Sequence, residues 1–474
     1  MADAIAGRRT RALDGWNAAL ADQRADLARG RDAWIGAWTW VLLVATLLYV
    51  LIGSNPYQHD AVFDPLTGGS VMSPVNRFIW LALLAFAAPV LWWRRAELAD
   101  SSRRLWPVAL LFVWFIATTR WAIDPDASSR RLFLYIVDLL ICLAVSLGLK
   151  DPRRLHNGLA VACAIVVVID LGSWIIAPAA SMTDLGLAAI HTHKNTLGAV
   201  MLLTGLICAP YTLSQQGLMG RMFWGAITIT SFVLLVASQS KTSLGILIAA
   251  AIVGPLLLVL LKRRVEIVWG VAASTLALLM ASALLWLAWC AIQGQDPLAA
   301  AEKITFTQRT DVWRFTVDQF RLRPWRGVGF GSFWDVDPKV QPSLQADAWF
   351  AQPDAATNES HNGYLDILVT TGIPGLIGAL LLLFRWLGRG LALLRRALLD
   401  PLGGEGRALP YLTYLGFFPL VFVVHNFMES TYFNPNSLFG FIILLVGVDI
   451  DMRYAPRALM PAAARRGSLS AARP

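Results

Sequence analysis

Charge is scarce in this chain. Only 15% of its 474 residues are Asp, Glu, Lys or Arg, whereas 57% are hydrophobic and the mean hydropathy is +0.56. A soluble domain carries about a quarter charged residues, so a soluble enzyme, a nucleic-acid binder and a disordered scaffold are all excluded as readings. The net charge of +9 is then first a topology signal, and no nucleic-acid partner is expected. Cysteine is scarce too. Cys142, Cys163, Cys208 and Cys290 all fall inside apolar runs, which leaves no disulfide framework outside them. No internal repeat is visible, so the inverted-repeat signature of many transporters is missing. The apolar runs are continuous rather than alternating, which excludes a β-barrel.

What the chain does have is long apolar runs. A spanning helix needs about 20 mostly apolar residues, and twelve segments qualify: 33–53, 78–93, 105–123, 132–149, 158–177, 195–213, 221–237, 242–261, 265–292, 364–384, 408–424 and 435–452. The first is too long, and too far from the start, for a cleaved signal peptide. The expected fold is therefore an all-α polytopic membrane protein of about twelve transmembrane helices. Its parts are an N-terminal segment 1–32, spans over 33–292, an external stretch 293–363, spans over 364–452 and a tail 453–474.

Lys and Arg set the orientation. Connections on the N-terminal side carry 27 of them and the opposite side 13, seven of which lie in the 71-residue stretch 293–363. Long loops do not count under the positive-inside rule, so the comparison is 27 against 6. Both termini are expected in the cytoplasm, and 293–363 outside it. Each cation on the outer side then needs another reason to be there.

Nearly all the suggestive polar residues gather on that side. They are His191-Thr192-His193-Lys194-Asn195, the turn around Lys241, Arg120 with Asp124, Asp126, Arg130 and Arg131, and the turn His425-Asn426-Phe427-Met428-Glu429-Ser430. The long stretch adds Arg309-Thr310-Asp311-Val312-Trp313-Arg314, then Gly327-x-Gly329-x-Gly331, then Glu359-Ser360-His361-Asn362-Gly363. Trp313, Val317 and Phe320 recur at helical spacing, which reads as an interfacial helix. The glycines read as a tight turn where backbone approaches backbone or ligand. His191-x-His193 lacks a clear carboxylate partner, so no metal is expected. Arg130 and Arg131 suit lipid headgroups as well as a substrate phosphate. Asp138 and Asp170 read as interhelical hydrogen bonds or ion pairs, or else as a proton path. His425 and Glu429 are spaced to pair along a helix. Lys241, in so short a turn, asks for an anionic partner.

His361-Asn362, followed after nine residues by Gly372-x-x-Gly375, resembles the signature of the O-antigen ligase and polymerase superfamily. Arg309-x-x-x-Trp313 and Pro324-Trp325-x-Gly327-x-Gly329 resemble it too. The resemblance implies a GT-C-like glycosyltransferase in a bacterial inner membrane, with its site at the periplasmic face. The nearest activity is O-antigen ligation: polysaccharide passes from undecaprenyl diphosphate to the lipid A–core saccharide, with inversion and without metal or cofactor. Membrane lipids are the other partners. In that chemistry a diphosphate leaves, and fixed cations stabilise the charge that builds on it. A neutral imidazole, with a reference pKa of about 6.5, takes the acceptor's proton. His361 is the expected base, with Glu359 or Asn362 orienting it. Arg309, Arg314, Lys194 and Lys241 are expected to hold the diphosphate, together with Arg130 and Arg131. Asn195, Trp313, Gly372, Gly375, His425 and Glu429 are expected to support the site. A polymerase, a protein O-oligosaccharyltransferase and, in a different class, a lipid-linked sugar transporter remain alternatives.

Overall fold

The computed structural model describes residues 2–59, 74–263, 309–352, 357–403, 406–434 and 437–454, with a few positions between 280 and 294. The helices are α1 (Ala2–Ile52), α2 (Pro74–Trp93), α3 (Arg95–Thr118), α4 (Pro125–Gly148), α5 (Pro152–Ile176), the short α6 (Pro178–Ser181), α7 (Lys194–Leu213), α8 (Leu218–Ser238) and α9 (Lys241–Lys262). Further on come α10 (Arg309–Leu322), α11 (Gly363–Leu399), α12 (Leu409–Met428) and α13 (Leu438–Arg453). The strands among the described residues are two short pieces, Met182–Thr183 and Gly186–Leu187, paired antiparallel.

Nine helices among the described residues are long and apolar enough to cross a membrane. The chain is thus an all-α multi-pass membrane protein. Eleven of the twelve expected spans coincide with helices; α3 and the 16-residue α13 are the two outside those nine. The expected span 265–292 lies largely outside the described residues, as does the start of the external stretch. α1 continues unbroken through residue 32, where the sequence suggested a boundary. Helices α8 and α9 bury little of their surface inside the protein, and residues such as Phe232, Val236, Ile252 and Leu256 face outward. In a hydrocarbon solvent such faces carry no penalty.

Side-chain caps fix where the helices start. Asp124 accepts from the Ala127 amide at α4, Asp151 from Arg153 at α5 and Ser437 from Gly440 at α13. These satisfy first-turn donors that lipid could not. Apolar side chains from α1–α5, α7–α9 and α11–α13 form the main core.

The connections divide between two ends of the bundle. At one end, Tyr57 N donates to Ile190 O, Ile123 N to Val328 O and Asn362 N to Ser430 Oγ. At the other, Arg453 donates to the Leu149 and Lys150 carbonyls and Arg153 Nε to Arg407 O. The segment 309–362 covers the first end with a small core of its own, built from Val312, Val328, Phe333, Trp334, Phe350 and Val369.

That segment is clamped to α11 by backbone. Val328 N donates to Val369 O, Gly329 N to Thr370 O and Ile373 N to Pro324 O. α11 bends at Gly372 (φ +71), ahead of Pro374. A Cβ at Gly372 would strike the Trp325 carbonyl, and one at Gly327 (φ +65) the Thr370 carbonyl. The glycines therefore permit two backbones to touch.

Candidate active site

His361 stands where the outer segment turns into α11, in a left-handed conformation (φ +53). Its neighbours come from two places. Glu359 Oε1 lies 2.6 Å from His361 Nδ1, and Glu429 Oε2, just beyond the end of α12, lies 3.7 Å from it. Arg309, the first residue of α10, reaches Glu429 at 3.5 Å and donates to the Met428 carbonyl at 2.6 Å. Three elements thus converge on one imidazole, two carboxylates and a guanidinium.

The turn that presents His361 is heavily tied. Asn362 caps α11, its Oδ1 accepting from the Tyr364 and Leu365 amides. Ser360 Oγ donates to Asn362 O, and the Asn362 amide meets the Ser360 and Ser430 hydroxyls. Gly363 packs so closely on Asn426 that a Cβ would collide with its side chain. The Asn426 side-chain oxygen Oδ1 accepts from the amides of Thr431 and Tyr432, which holds the Glu429–Tyr432 turn. Trp313 Nε1 donates to Ser360 O at 2.9 Å, fixing α10 to the same turn.

The electrostatics set protonation. Burial disfavours the His361 imidazolium, but contacts with Glu359 and Glu429 outweigh burial and the opposing Arg309 charge, and the pKa is pushed up to about 9. Burial raises Glu359 above the usual carboxylate range, with His361 opposing. For Glu429, His361 and Arg309 overcome burial and hold the carboxyl below that range. An unperturbed neutral ring was expected; two nearby carboxylates make His361 an imidazolium at neutral pH instead.

α7 brings a second group of cations close. His193 caps α7, its Nδ1 accepting from the Asn195 amide at 3.2 Å. Its own pKa is lowered by burial and Lys194, with Glu429 raising it and His361 lowering it, which puts this cap within electrostatic reach of the cluster. Lys194 Nζ donates to Leu185 O at 3.1 Å. Lys241, exposed at the start of α9, adjoins α7 where Gly198 packs on Ser240.

Other expected residues stand elsewhere or do other work. Asn362 caps a helix and does not orient His361; its side-chain oxygen is committed to amides. Arg131 donates to the Gly331, Trp334 and Asp335 carbonyls at 2.6–2.7 Å, so its fork staples the outer segment. Arg314 follows Arg309 by five residues, roughly 140° around α10, and pairs with Asp311 at 3.7 Å. His425 does not pair with Glu429 through its side chain; it is buried and stacked on Phe439, with centroids 3.9 Å apart and planes 4° apart. Gly375 lets Thr371 and Trp114 close in, and Trp114 Nε1 donates to Thr371 O. His191 finds the carboxylate the sequence did not show: its Nε2 lies 3.0 Å from Asp170, both fully buried.

The sequence also showed no divalent-ion cluster. In the structure, ligand atoms of Glu359, His361 and Glu429 lie within 4.8 Å of one another. Glu429 comes from a different turn, and Arg309 already competes for it. Asp366 likewise went unnoticed: one oxygen accepts from Trp334 Nε1 at 2.8 Å and the other faces the Ser360 amide. Spacing along one chain carries no signal for such convergence.

Beside Glu359 lies a cavity of about 330 Å³ between α4, the outer segment and the 430–434 turn. Arg130 is exposed on its lining. With the backbone amides of Ala127 and Asp337, Arg130 holds Asp124 below the carboxylate range against burial.

A family model described as O-antigen ligase matches residues 226–380, about a third of the chain, from α8 through the His361 turn into α11. The exopolysaccharide production protein ExoQ of Rhizobium meliloti (strain 1021) is 26% identical over 296 residues, covering 60% of this chain and 64% of the relative. The chain thus matches just under two thirds of that relative's length. Both findings support the resemblance to the O-antigen ligase superfamily.

Proposed function

We propose that this chain is a glycosyltransferase of the O-antigen ligase type, working at the membrane face that carries His361, which we take as periplasmic, with both termini cytoplasmic. It moves polysaccharide from undecaprenyl diphosphate to a saccharide hydroxyl, the lipid A–core in the ligase reading. The observation that carries this is the meeting of His361, Glu359, Glu429 and Arg309 at the bundle end where outer segment, α7 and α12 converge.

In this reaction the acceptor oxygen attacks the anomeric carbon, the carbon–oxygen bond to the diphosphate breaks, and the polyprenyl diphosphate leaves with its electron pair. Arg309 and Lys194, with Lys241 beyond them, offset the charge that builds on the leaving group. The hydroxyl proton passes to the neutral form of His361. The flanking carboxylates make that form rare at pH 7, at a cost of about 2.7 kcal/mol for two pKa units, yet they stabilise the imidazolium that results. One displacement inverts the anomeric centre.

The relative's name, exopolysaccharide production, favours a second reading in which the acceptor is another lipid-linked chain, as in a polymerase. Purified full-length protein in nanodiscs, given lipid-linked donor and either lipid A–core or a second lipid-linked chain, separates the two by product. His361→Ala should remove product in either case. Full activity of that variant ends the proposal, and loss of wild-type activity with EDTA would replace it with a metal mechanism at Glu359, His361 and Glu429.

A further inference from the structure

We infer that the cavity beside Glu359 is the acceptor-saccharide subsite, with Asp335 as the side chain that selects the acceptor. The inference rests on the proposed function and assigns one wall of its site. Glu359 belongs to two places at once: one oxygen touches His361, and the residue lines this cavity. A sugar held there brings a hydroxyl to the Glu359–His361 pair, while Arg309 and Glu429 do not line the cavity. The acceptor cavity and the cations assigned to the diphosphate, Arg309, Lys194 and Lys241, are therefore distinct parts of the site.

Backbone strain marks the same place. Six non-glycine residues among those described have positive φ, and three of them, Asp335 (φ +51), His361 (φ +53) and Phe433 (φ +54), either line this cavity or stand beside it. A bulky residue such as Phe433 rarely takes that conformation, and such strain of about 1–3 kcal/mol per residue persists where the surroundings impose it, commonly at functional sites. For Asp335 the cause is visible: Arg131 grips its carbonyl and those of Trp334 and Gly331. Asp366 then ties Trp334 to Ser360, so the Asp335 wall and the His361 turn are one rigid unit.

The lining suits a sugar. Phe115, Phe330 and Phe433 give an apolar floor, while Asp335, Asn358 and Arg130 supply polar groups. The volume is at the small end of ligand pockets, which run to about 300–1,000 Å³, so it takes one or two sugar residues and not a long polymer. Burial pushes Asp335 up to about 6 against the pull of Arg131, and a carboxylate there accepts hydrogen bonds from vicinal hydroxyls. Arg130 on the lining offers a cation to an acceptor sugar bearing phosphate or carboxylate.

The test is steady-state transfer by full-length protein in nanodiscs with lipid A–core and, in parallel, a lipid-linked chain as acceptor. Asp335→Asn should raise the acceptor KM at least tenfold, leaving donor KM within twofold; Arg130→Gln, at an exposed position, should raise acceptor KM severalfold. Binding of the same acceptors to His361→Ala, with and without Asp335→Asn, should show the same loss without turnover. Wild-type transfer with acceptor KM and acceptor binding unmoved in both variants overturns the cavity assignment alone, as does a shift of donor KM instead. Should Asp335→Asn not fold, Arg130→Gln decides by the same criteria. Absence of transfer by wild type to either acceptor removes the functional reading and this inference with it.

Discussion

Replacing Glu429 by Gln probes the electrostatics of the centre directly. His361 sits 2.6 Å from Glu359 and 3.7 Å from Glu429, and its pKa is pushed up to about 9, burial and Arg309 opposing and the carboxylates prevailing. A raised value means that the ring stays charged through neutrality: at pH 7 only about 1% is neutral, and the base form grows tenfold per pH unit until about 9. An opposite charge within a few ångström moves a pKa by about 1–3 units. Glu429 is the farther carboxylate and shares its charge with Arg309, so its removal should lower the ring by about one unit, the low end of that range. The neutral fraction at pH 7 then rises roughly tenfold. Histidine-selective NMR titration in nanodiscs reads this, since the chain has only six histidines and His361→Gln identifies the resonance. If His361 is the base, log kcat/KM climbs with unit slope to about pH 9 in the wild type and breaks about one unit lower in the variant. A wild-type ring titrating near 6.5, or one whose pKa stays put or rises when Glu429 loses its charge, refutes the reasoning.

Arg309→Gln should raise donor KM at least tenfold and, because Arg309 opposes the imidazolium, move the His361 titration further up; a downward shift contradicts the placement. Gly327→Ala forces a side chain into φ +65 against the Thr370 carbonyl, and should cost at least about 2–3 kcal/mol, read as a lower Tm and a poor yield of folded protein. Arg131→Ala leaves three carbonyls without their charged donor and should cost about 2–4 kcal/mol without changing donor KM; a donor effect at unchanged Tm would return Arg131 to the binding site.

The bundle was legible because lipid demands it: long apolar runs have few other uses, and every helix expected in the described residues is there. Which connections share an end of the bundle was legible for the same reason, since connections alternate. The interior of the site was less so. His361 stands out because a polar pair beside an apolar run is conspicuous, whereas Glu429 becomes its neighbour only when α12 ends beside α11, 68 residues on. Arg131 and Asn362 misled for a common reason. A guanidinium suits a row of carbonyls as well as a phosphate, and an amide caps a helix as readily as it orients a ring. Residue type gives the donor set; only the fold says what has already claimed it. His191 erred the other way, as its partner Asp170 sits 21 residues earlier on α5, a contact that no local spacing encodes.

The two ends of the bundle treat their cations differently, and the difference bears on which of them a substrate can use. At the end away from His361, Asp451 is fully buried between Arg385 and Arg389 and also accepts from Trp386, while Arg453 pairs with buried Asp449 beside Tyr411. Breaking such a pair leaves an uncompensated buried charge, at a cost of about 3–5 kcal/mol, so Arg385 and Arg389 are fixed as ties between α11 and α13, and Arg453 is fixed along α13 itself. At the His361 end, Arg309 holds Glu429 at a looser 3.5 Å beside one 2.6 Å bond to the Met428 carbonyl, Lys194 donates to the Leu185 carbonyl and Lys241 is exposed. Among the described residues no fully buried carboxylate locks these cations, which is the condition for handing them to an incoming diphosphate without first dismantling the fold. On the proposed reading that transfer has a second effect. As Arg309 turns from Glu429 to the donor, Glu429 acts undivided on His361, so the neutral ring becomes a stronger base and the acceptor's proton, once taken, stays. Donor binding and proton removal would then share Glu429, a residue that touches neither reacting carbon nor leaving oxygen.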